Sequence, residues 1–161
     1  MAKKVLVVED NELNLRLFCD LLRAHDCAVE GVRDGRDALA AAHAMLPDLI
    51  VMDIQMPHVT GLELIEAIRA DAELAHIPVM AVTAYAGKAD EDRIRAAGAD
   101  AYVSKPIALM RFVEVVEGLL TERVGTYSSP LGGGGAPEGR DGVGLTSSAK
   151  APWRSHVVGR P

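Results

Sequence analysis

The chain has 161 residues, of which 49% are hydrophobic and 25% charged, a balance typical of one soluble globular domain with a sizeable core. Residues 1–124 carry 13 Lys and Arg against 21 Asp and Glu, so this part of the chain is acidic. An acidic domain repels the phosphates of nucleic acids, which argues against direct DNA binding and in favour of protein partners.

No apolar run approaches the roughly 20 residues that a membrane-spanning helix needs. We therefore expect neither membrane insertion nor a secretion signal. The two cysteines, Cys19 and Cys27, lack the Cys-x-x-Cys spacing of a metal or redox site, so we interpret both as reduced packing residues. These features together predict a cytoplasmic protein.

Five short apolar runs alternate with longer segments of helical periodicity up to about residue 124. In chain order, the runs cover residues 4–8, 28–32, 48–52, 79–82 and 101–103. The alternation predicts an α/β fold, namely a doubly wound parallel sheet of five strands with helices on both faces. Short connections and right-handed crossovers favour the strand order 2-1-3-4-5 of flavodoxin-like folds.

The helical segments have apolar faces and recognisable ends. Apolar residues share one face in the first and last helices, namely Leu17, Phe18, Leu21 and Leu22, and then Phe112, Val113, Val116, Leu119 and Leu120. Thr60 and Glu63 have the spacing of a capping box, which predicts a helix start after the third strand. Gly98 is placed to end the fourth helix.

The apolar periodicity stops after Arg123. Residues 125–161 contain nine Gly, four Pro and five Ser, including four consecutive glycines at 132–135. We expect one folded domain over residues 1–124 and a disordered tail over residues 125–161. The tail shows no amphipathic helix, so the sequence predicts no helix-turn-helix for DNA binding.

Polar residues stand at the ends of four of the predicted strands. Glu9 and Asp10 close the first strand, Asp53 the third and Thr83 the fourth, and Lys105 follows the fifth. The carboxyl ends of parallel strands meet at one edge of the sheet, where open α/β sheets bind their ligands. A carboxylate after one strand is often only the N-cap of the next helix, but we interpret the whole set as a functional site.

The three carboxylates of this set predict a metal site. Crowded carboxylates repel one another unless a cation joins them, and an all-oxygen cluster without His or Cys suits Mg²⁺. We expect Asp10 and Asp53 as direct ligands, Glu9 as a ligand through water, and the backbone carbonyl of Gln55 as a further ligand.

The same set predicts phosphoryl chemistry. With a cation in place, the Asp53 carboxylate is expected to attack an electrophilic phosphorus and to form an acyl phosphate. Lys105 would then offer a positive charge, and Thr83 a hydroxyl donor, to the phosphoryl oxygens.

The motifs around these residues resemble those of the receiver domains of two-component response regulators. They read VLVVEDN at 5–11, LIVMDIQMP at 49–57, VTA at 82–84 and SKP at 104–106, and the match covers about residues 3–122. Two shorter motifs, VEDNELN at 8–14 and AHIPV at 75–79, look like the DivK-type single-domain cell-cycle regulators of alphaproteobacteria. The long tail is a departure from that group.

The resemblance implies a five-stranded doubly wound fold and phosphotransfer from a histidine kinase or histidine phosphotransferase to Asp53. It also implies a cis peptide between Lys105 and Pro106, and Mg²⁺ held by the residues named above. Receivers often carry an aromatic at the position of Tyr102, which swings inward as the hydroxyl at the Thr83 position moves toward the phosphoryl group. The alternative for Tyr102 is an ordinary strand aromatic.

The signal is expected to leave the protein through contact with a downstream protein target. Because Thr83, Tyr102 and Lys105 lie on the last two strands, we predict an output face at roughly residues 88–124. A weak dimer that forms on phosphorylation is a further alternative that the sequence leaves open.

Two alternatives belong to other functional classes. Phosphohydrolases of the haloacid-dehalogenase type also use an Asp nucleophile, but it follows their first strand and a second Asp stands two positions on, where this chain has Gln55. Receiver-like modules that never take phosphate usually lack the Asp, Thr or Lys, and all are present here. We therefore expect a phosphoacceptor signalling protein with self-catalysed phosphotransfer and autodephosphorylation, rather than a classical enzyme.

Overall fold

A computed structural model describes residues 2–84 and 87–125, with residues 122–125 described by their backbone only. Five strands form one parallel sheet: β1 Lys3–Val8, β2 Cys27–Val32, β3 Leu49–Asp53, β4 Val79–Thr83 and β5 Ala101–Ser104. Their order is β2-β1-β3-β4-β5, which confirms the predicted topology. Each strand begins and ends within one residue of its predicted apolar run, because the buried strands of a parallel sheet are apolar on both faces.

Within the described residues, four α-helices connect successive strands and a fifth follows β5: α1 Glu12–Ala24, α2 Ala38–Met45, α3 Gly61–Ala70, α4 Lys88–Ala97 and α5 Leu109–Gly125. A short 3₁₀ turn, Gly35–Asp37, precedes α2. The capping box of α3 is present, since the Glu63 N–H donates to Thr60 Oγ1 at 3.1 Å and the Thr60 N–H donates to Glu63 Oε1 at 3.0 Å. Gly98 ends α4 in the left-handed region at φ 117°, as predicted.

The core consists of two apolar layers on the two faces of the sheet. α2, α3 and α4 cover one face, whereas α1 and α5 cover the other. Along β1, Leu6 and Val8 point to the first layer and Val5 and Val7 to the second. The rings of Phe18 and Phe112 stack with their centroids 4.9 Å apart, which joins α1 to α5.

One helix prediction needs correction. Leu17 was expected on the buried face of α1, but its side chain is 41% exposed, and Leu21 is only half-buried. Phe18 and Leu22 are the residues of that set that face the sheet, because the buried stripe of a surface helix spans little more than 100° and Leu17 lies one residue, or about 100°, to its side. On α5, Val113 is half-buried and packs against the same apolar layer as its buried neighbours, as predicted.

The α5 helix continues to Gly125, one residue beyond the predicted domain boundary. The rest of the predicted tail, residues 126–161, lies outside the described residues. In the described part of the chain, no helix is both long enough and apolar enough to cross a membrane.

Candidate functional site

Three carboxylates lie together at the carboxyl edge of the sheet. Glu9 and Asp10 follow β1, and Asp53 is the last residue of the adjacent β3. The register pairs Val8 with Met52, so the segments that follow β1 and β3 leave the sheet side by side. One oxygen from each of Glu9, Asp10 and Asp53 lies within 4.8 Å of the others. The structure thus brings together the three predicted carboxylates.

Two of these carboxylates are buried and incompletely paired. Glu9 and Asp53 are each 1% exposed. The Asn11 N–H donates to Glu9 Oε2, and the Gln55 N–H donates to Asp53 Oδ1, both at 3.2 Å. Glu9 Oε1 and Asp53 Oδ2 are buried and have no hydrogen-bond partner among the described residues. Unpaired buried acceptors of this kind call for an unseen ligand or a functional reason.

Burial is the main cause of a raised pKa at Asp53. The loss of solvation and the negative charge of Glu9 raise its pKa to about 8, although the positive charge of Lys105 opposes the rise. The Asp53 carboxyl therefore holds a proton more tightly than an ordinary Asp unless a further cation favours the charged form.

The donor set fits a hard divalent cation. Three crowded carboxylates supply only oxygen atoms, and two of those oxygens lack other partners. Mg²⁺ prefers oxygen ligands, and in proteins it is usually bound by one or two carboxylates together with water molecules. The residues present therefore suit the Mg²⁺ site predicted from the sequence.

Lys105 reaches the carboxylates from the far side of β4. Its Nζ lies 3.4 Å from Asp53 Oδ1 and 3.7 Å from Glu9 Oε2. Its backbone N–H donates to the Thr83 carbonyl at 2.8 Å, which ties the end of β5 to the end of β4. The peptide from Lys105 to Pro106 is cis, as the family resemblance implied.

The side chain of Gln55 forms a feature that sequence reasoning missed. Gln55 Nε2 donates to Thr83 Oγ1 at 3.1 Å, and the Ala84 N–H donates to Gln55 Oε1 at 2.9 Å. The sequence predicts a role only for the backbone carbonyl of Gln55, as a metal ligand. The available signal was an amide side chain two residues after the central Asp53, beside a polar strand end.

Tyr102 is 2% exposed and packs in the apolar layer formed with α3 and α4. It pairs in register with Ala81, on the strand that ends at Thr83. The ring therefore lies inside the protein in this structure, and the coupling of its position to Thr83 that the resemblance implied stays a prediction.

Gly61 allows α3 to begin against the back of Asp53. A Cβ at this position would collide with the Asp53 carbonyl oxygen and would lie 2.7 Å from Ile54 Cα. The Gly61 N–H also donates to the Ile54 carbonyl at 3.1 Å. The turn after β3 is therefore held close to the start of α3, which positions the Asp53 backbone.

A second ionisable group lies away from this site. His43 Nδ1 lies 2.8 Å from Glu73 Oε1, and His43 Nε2 lies 2.7 Å from Asp71 Oδ2. The hydrogen bonds with Glu73 and Asp71 raise the pKa of His43. The sequence had shown no partner for His43, because the carboxylates are 28 and 30 residues away. The group links α2 to the segment after α3.

Comparison with known proteins agrees with this geometry. The family model of the response regulator receiver domain matches residues 5–117. The polar-differentiation response regulator DivK of Brucella ovis is 52% identical over 120 residues, which cover 74% of this chain and 98% of that protein. The DivK of Brucella melitensis matches equally well.

Solved structures show the same fold. Chemotaxis response regulator CheY4 of Vibrio cholerae is 27% identical with a TM-score of 0.71, over 74% of this chain and 99% of that one. The receiver domain of the sensor histidine kinase PA1611 from Pseudomonas aeruginosa, which carries a magnesium ion in its active-site cleft, is 28% identical with a TM-score of 0.70, over 75% and 99%. The sequence match and the sheet topology together place this chain in the response regulator receiver domain family, as a signalling protein rather than a classical enzyme.

Proposed function

We propose that the chain is a single-domain response regulator that accepts a phosphoryl group on Asp53 from a histidine kinase or a histidine phosphotransferase. The observation that carries this proposal is the buried, unpaired Asp53 Oδ2, in a carboxyl group whose other oxygen lies 3.4 Å from Lys105 Nζ. In the transfer, the P–N bond of a phosphohistidine breaks with its electron pair on the imidazole. A P–O bond to Asp53 forms in its place.

The reacting Asp53 carboxylate would be surrounded by Glu9, Asp10, Gln55 and Lys105. Glu9, Asp10, Asp53 and the Gln55 carbonyl would hold Mg²⁺, which supplies positive charge to the crowded oxygens. Lys105 would pair with a phosphoryl oxygen through its ammonium group, because it already contacts the Asp53 carboxylate.

The pathway follows from the relatives by analogy. DivK, which is 52% identical to this chain over 120 residues, is named as a polar-differentiation response regulator. We infer a role for this chain in cell-cycle or polarity control in the cytoplasm, with a downstream protein as the target.

Phosphotransfer from a labelled histidine donor tests the proposal. A purified histidine phosphotransferase carrying ³²P should lose its label to the wild-type chain in the presence of Mg²⁺, and to Asp37→Asn equally well, because Asp37 is an exposed carboxylate outside the cleft. Asp53→Asn should receive none. Equal labelling of Asp53→Asn and wild type would refute the assignment of the acceptor.

The transmission of the signal is a separate step. A phosphoryl group that draws Thr83 toward Asp53 would shift the packing at the end of β4, next to the buried Tyr102 on β5. Thr83→Ala and Tyr102→Ala should then still accept phosphate while the target protein responds less to phosphorylation. Unchanged phosphorylation dependence of target binding in both variants would argue against an output face at residues 88–124.

A further inference from the structure

The carboxamide of Gln55 joins the turn after β3 to the end of β4. Its Nε2 donates to Thr83 Oγ1 at 3.1 Å and its Oε1 accepts from the Ala84 N–H at 2.9 Å. Both hydrogen bonds have good lengths, and they use both polar atoms of the amide. One side chain therefore fixes the position of two consecutive residues at the end of β4.

The two residues that Gln55 holds are the next donors of β4 beyond the partner of Asp53. The register pairs Asp53 with Val82, so Thr83, the last residue of β4, and Ala84, the residue just beyond it, follow directly. A backbone N–H makes one good hydrogen bond at a time. While the Ala84 N–H donates to Gln55 Oε1, it cannot serve an oxygen of a group attached to Asp53.

We propose that Gln55 is a positioning residue that holds Thr83 and Ala84 in the place seen in the structure, and that its two hydrogen bonds open when a phosphoryl group on Asp53 engages these donors. The inference rests on the proposed function and adds to it a residue that sets how readily the site is filled. The free energy lost when the two Gln55 hydrogen bonds open offsets part of the free energy gained from the new phosphoryl contacts. The Gln55 side chain therefore opposes occupancy of the site by a phosphoryl group.

The contrary role for the same hydrogen bond predicts a change of phosphoryl-site occupancy in the opposite direction. If the bond from Gln55 Nε2 oriented the Thr83 hydroxyl for the phosphoryl group, removing the amide would weaken occupancy. The direction of the change therefore decides between the two roles.

The direct test compares Gln55→Met with the wild-type chain. Met has a similar length, lacks both hydrogen-bonding groups and leaves the backbone carbonyl of residue 55 in place. The probe is beryllofluoride in the presence of Mg²⁺, which forms a tetrahedral phosphoryl-like group on a carboxylate. We expect its half-saturating concentration to fall about three- to tenfold, the effect of losing one or two ordinary hydrogen bonds from the competing arrangement.

Met56→Leu serves as the matched control, because Met56 is the buried neighbour of Gln55 and the exchange conserves side-chain volume. Its half-saturating concentration should equal that of wild type. A drop as large as in Gln55→Met would mean that any loosening of this turn favours binding, which would overturn the specific role of the amide.

Two further measurements separate positioning from general stability. The backbone amide of Ala84, followed by NMR without beryllofluoride, should exchange with solvent faster in Gln55→Met than in wild type. In a Thr83→Ala background the gain from Gln55→Met should shrink, because one of the two partners is already gone. An unchanged Ala84 amide, or a gain of the same size in that background, would overturn the proposal.

The outcomes also separate this inference from the proposed function. If wild type responds to beryllofluoride no better than Asp53→Asn, the phosphoacceptor proposal fails. If wild type responds and Gln55→Met binds the probe equally well or more weakly, the phosphoacceptor proposal stands and the holding role of Gln55 is refuted.

Discussion

Replacing Asp53 with Asn should stabilise the fold at neutral and alkaline pH in the absence of divalent cations. The buried Asp53 carboxyl has its pKa raised to about 8 by burial and by the charge of Glu9. Ionising it in the folded protein therefore carries a cost that Asn, which is similar in shape and uncharged, does not have.

The size of this stabilisation follows from the difference between the pKa of Asp53 in the folded protein and its pKa in the unfolded chain. A pKa that rises from 3.8 to about 8 corresponds to roughly 6 kcal/mol. Glu9 and Lys105 share the charge of the site, and water entering the cleft relaxes it. We therefore expect Asp53→Asn to gain about 2–4 kcal/mol of unfolding free energy above pH 8.

The direction of the Asp53 pKa shift determines the pH range over which the stability of the wild type changes. The folded carboxyl binds its proton more tightly than the unfolded one, so wild type loses stability as pH rises from the unfolded pKa of 3.8 through the folded pKa of about 8. Asn does not titrate. The difference between the variant and wild type should be small near pH 4, grow between pH 5 and 8, and then level off.

Urea denaturation with EDTA at several pH values measures this difference. Saturating Mg²⁺ should then stabilise wild type more than Asp53→Asn, by about 3 kcal/mol at a hundredfold excess over the dissociation constant if the variant does not bind the ion. A difference that does not depend on pH, or a variant less stable than wild type at pH 8, would refute the reasoning about the buried carboxyl.

Three further variants test contacts outside the carboxylate cluster. The Arg69 guanidinium donates to three backbone carbonyls and to the Asp100 carboxylate at 2.7–3.0 Å, so Arg69→Met should lose about 2–4 kcal/mol in chemical denaturation. His43→Gln should lower Tm at pH 6 but much less at pH 9, because the ion pairs of His43 with Glu73 and Asp71 exist below its raised pKa and are lost as pH rises through it. Gly61→Ala should cost about 1–3 kcal/mol and weaken Mg²⁺ binding, measured by denaturation and titration, because its Cβ would push against the Asp53 backbone.

Local chemistry made the fold and the carboxylate cluster predictable. Apolar runs followed by Glu9, Asp10 and Asp53 identify strands that end in polar residues, and a parallel sheet brings the ends of such strands to one edge. The capping box at Thr60 and the glycine at the end of α4 are also signals within a few residues of each other or of the helix end.

Contacts that depend on the exact placement of side chains were not predictable. The Gln55 amide meets Thr83 across 28 residues, and Arg69 meets Asp100 across 31, and neither spacing shows a pattern in the chain. The orientation of Leu17 was predicted wrongly because neighbouring leucines in α1 lie about 100° apart and only the packing against the sheet selects the buried ones. Burial of Asp53, which raises its pKa, is likewise a property of the assembled layers.

The location of a phosphoryl adduct tests the central claim most directly. The wild-type chain is incubated with acetyl phosphate and Mg²⁺, the acyl phosphate is reduced with borohydride, and the peptides are sequenced by mass spectrometry. We predict a single Mg²⁺-dependent modification, at Asp53, in the peptide that contains residues 49–57. Modification at another residue with Asp53 intact would contradict the account.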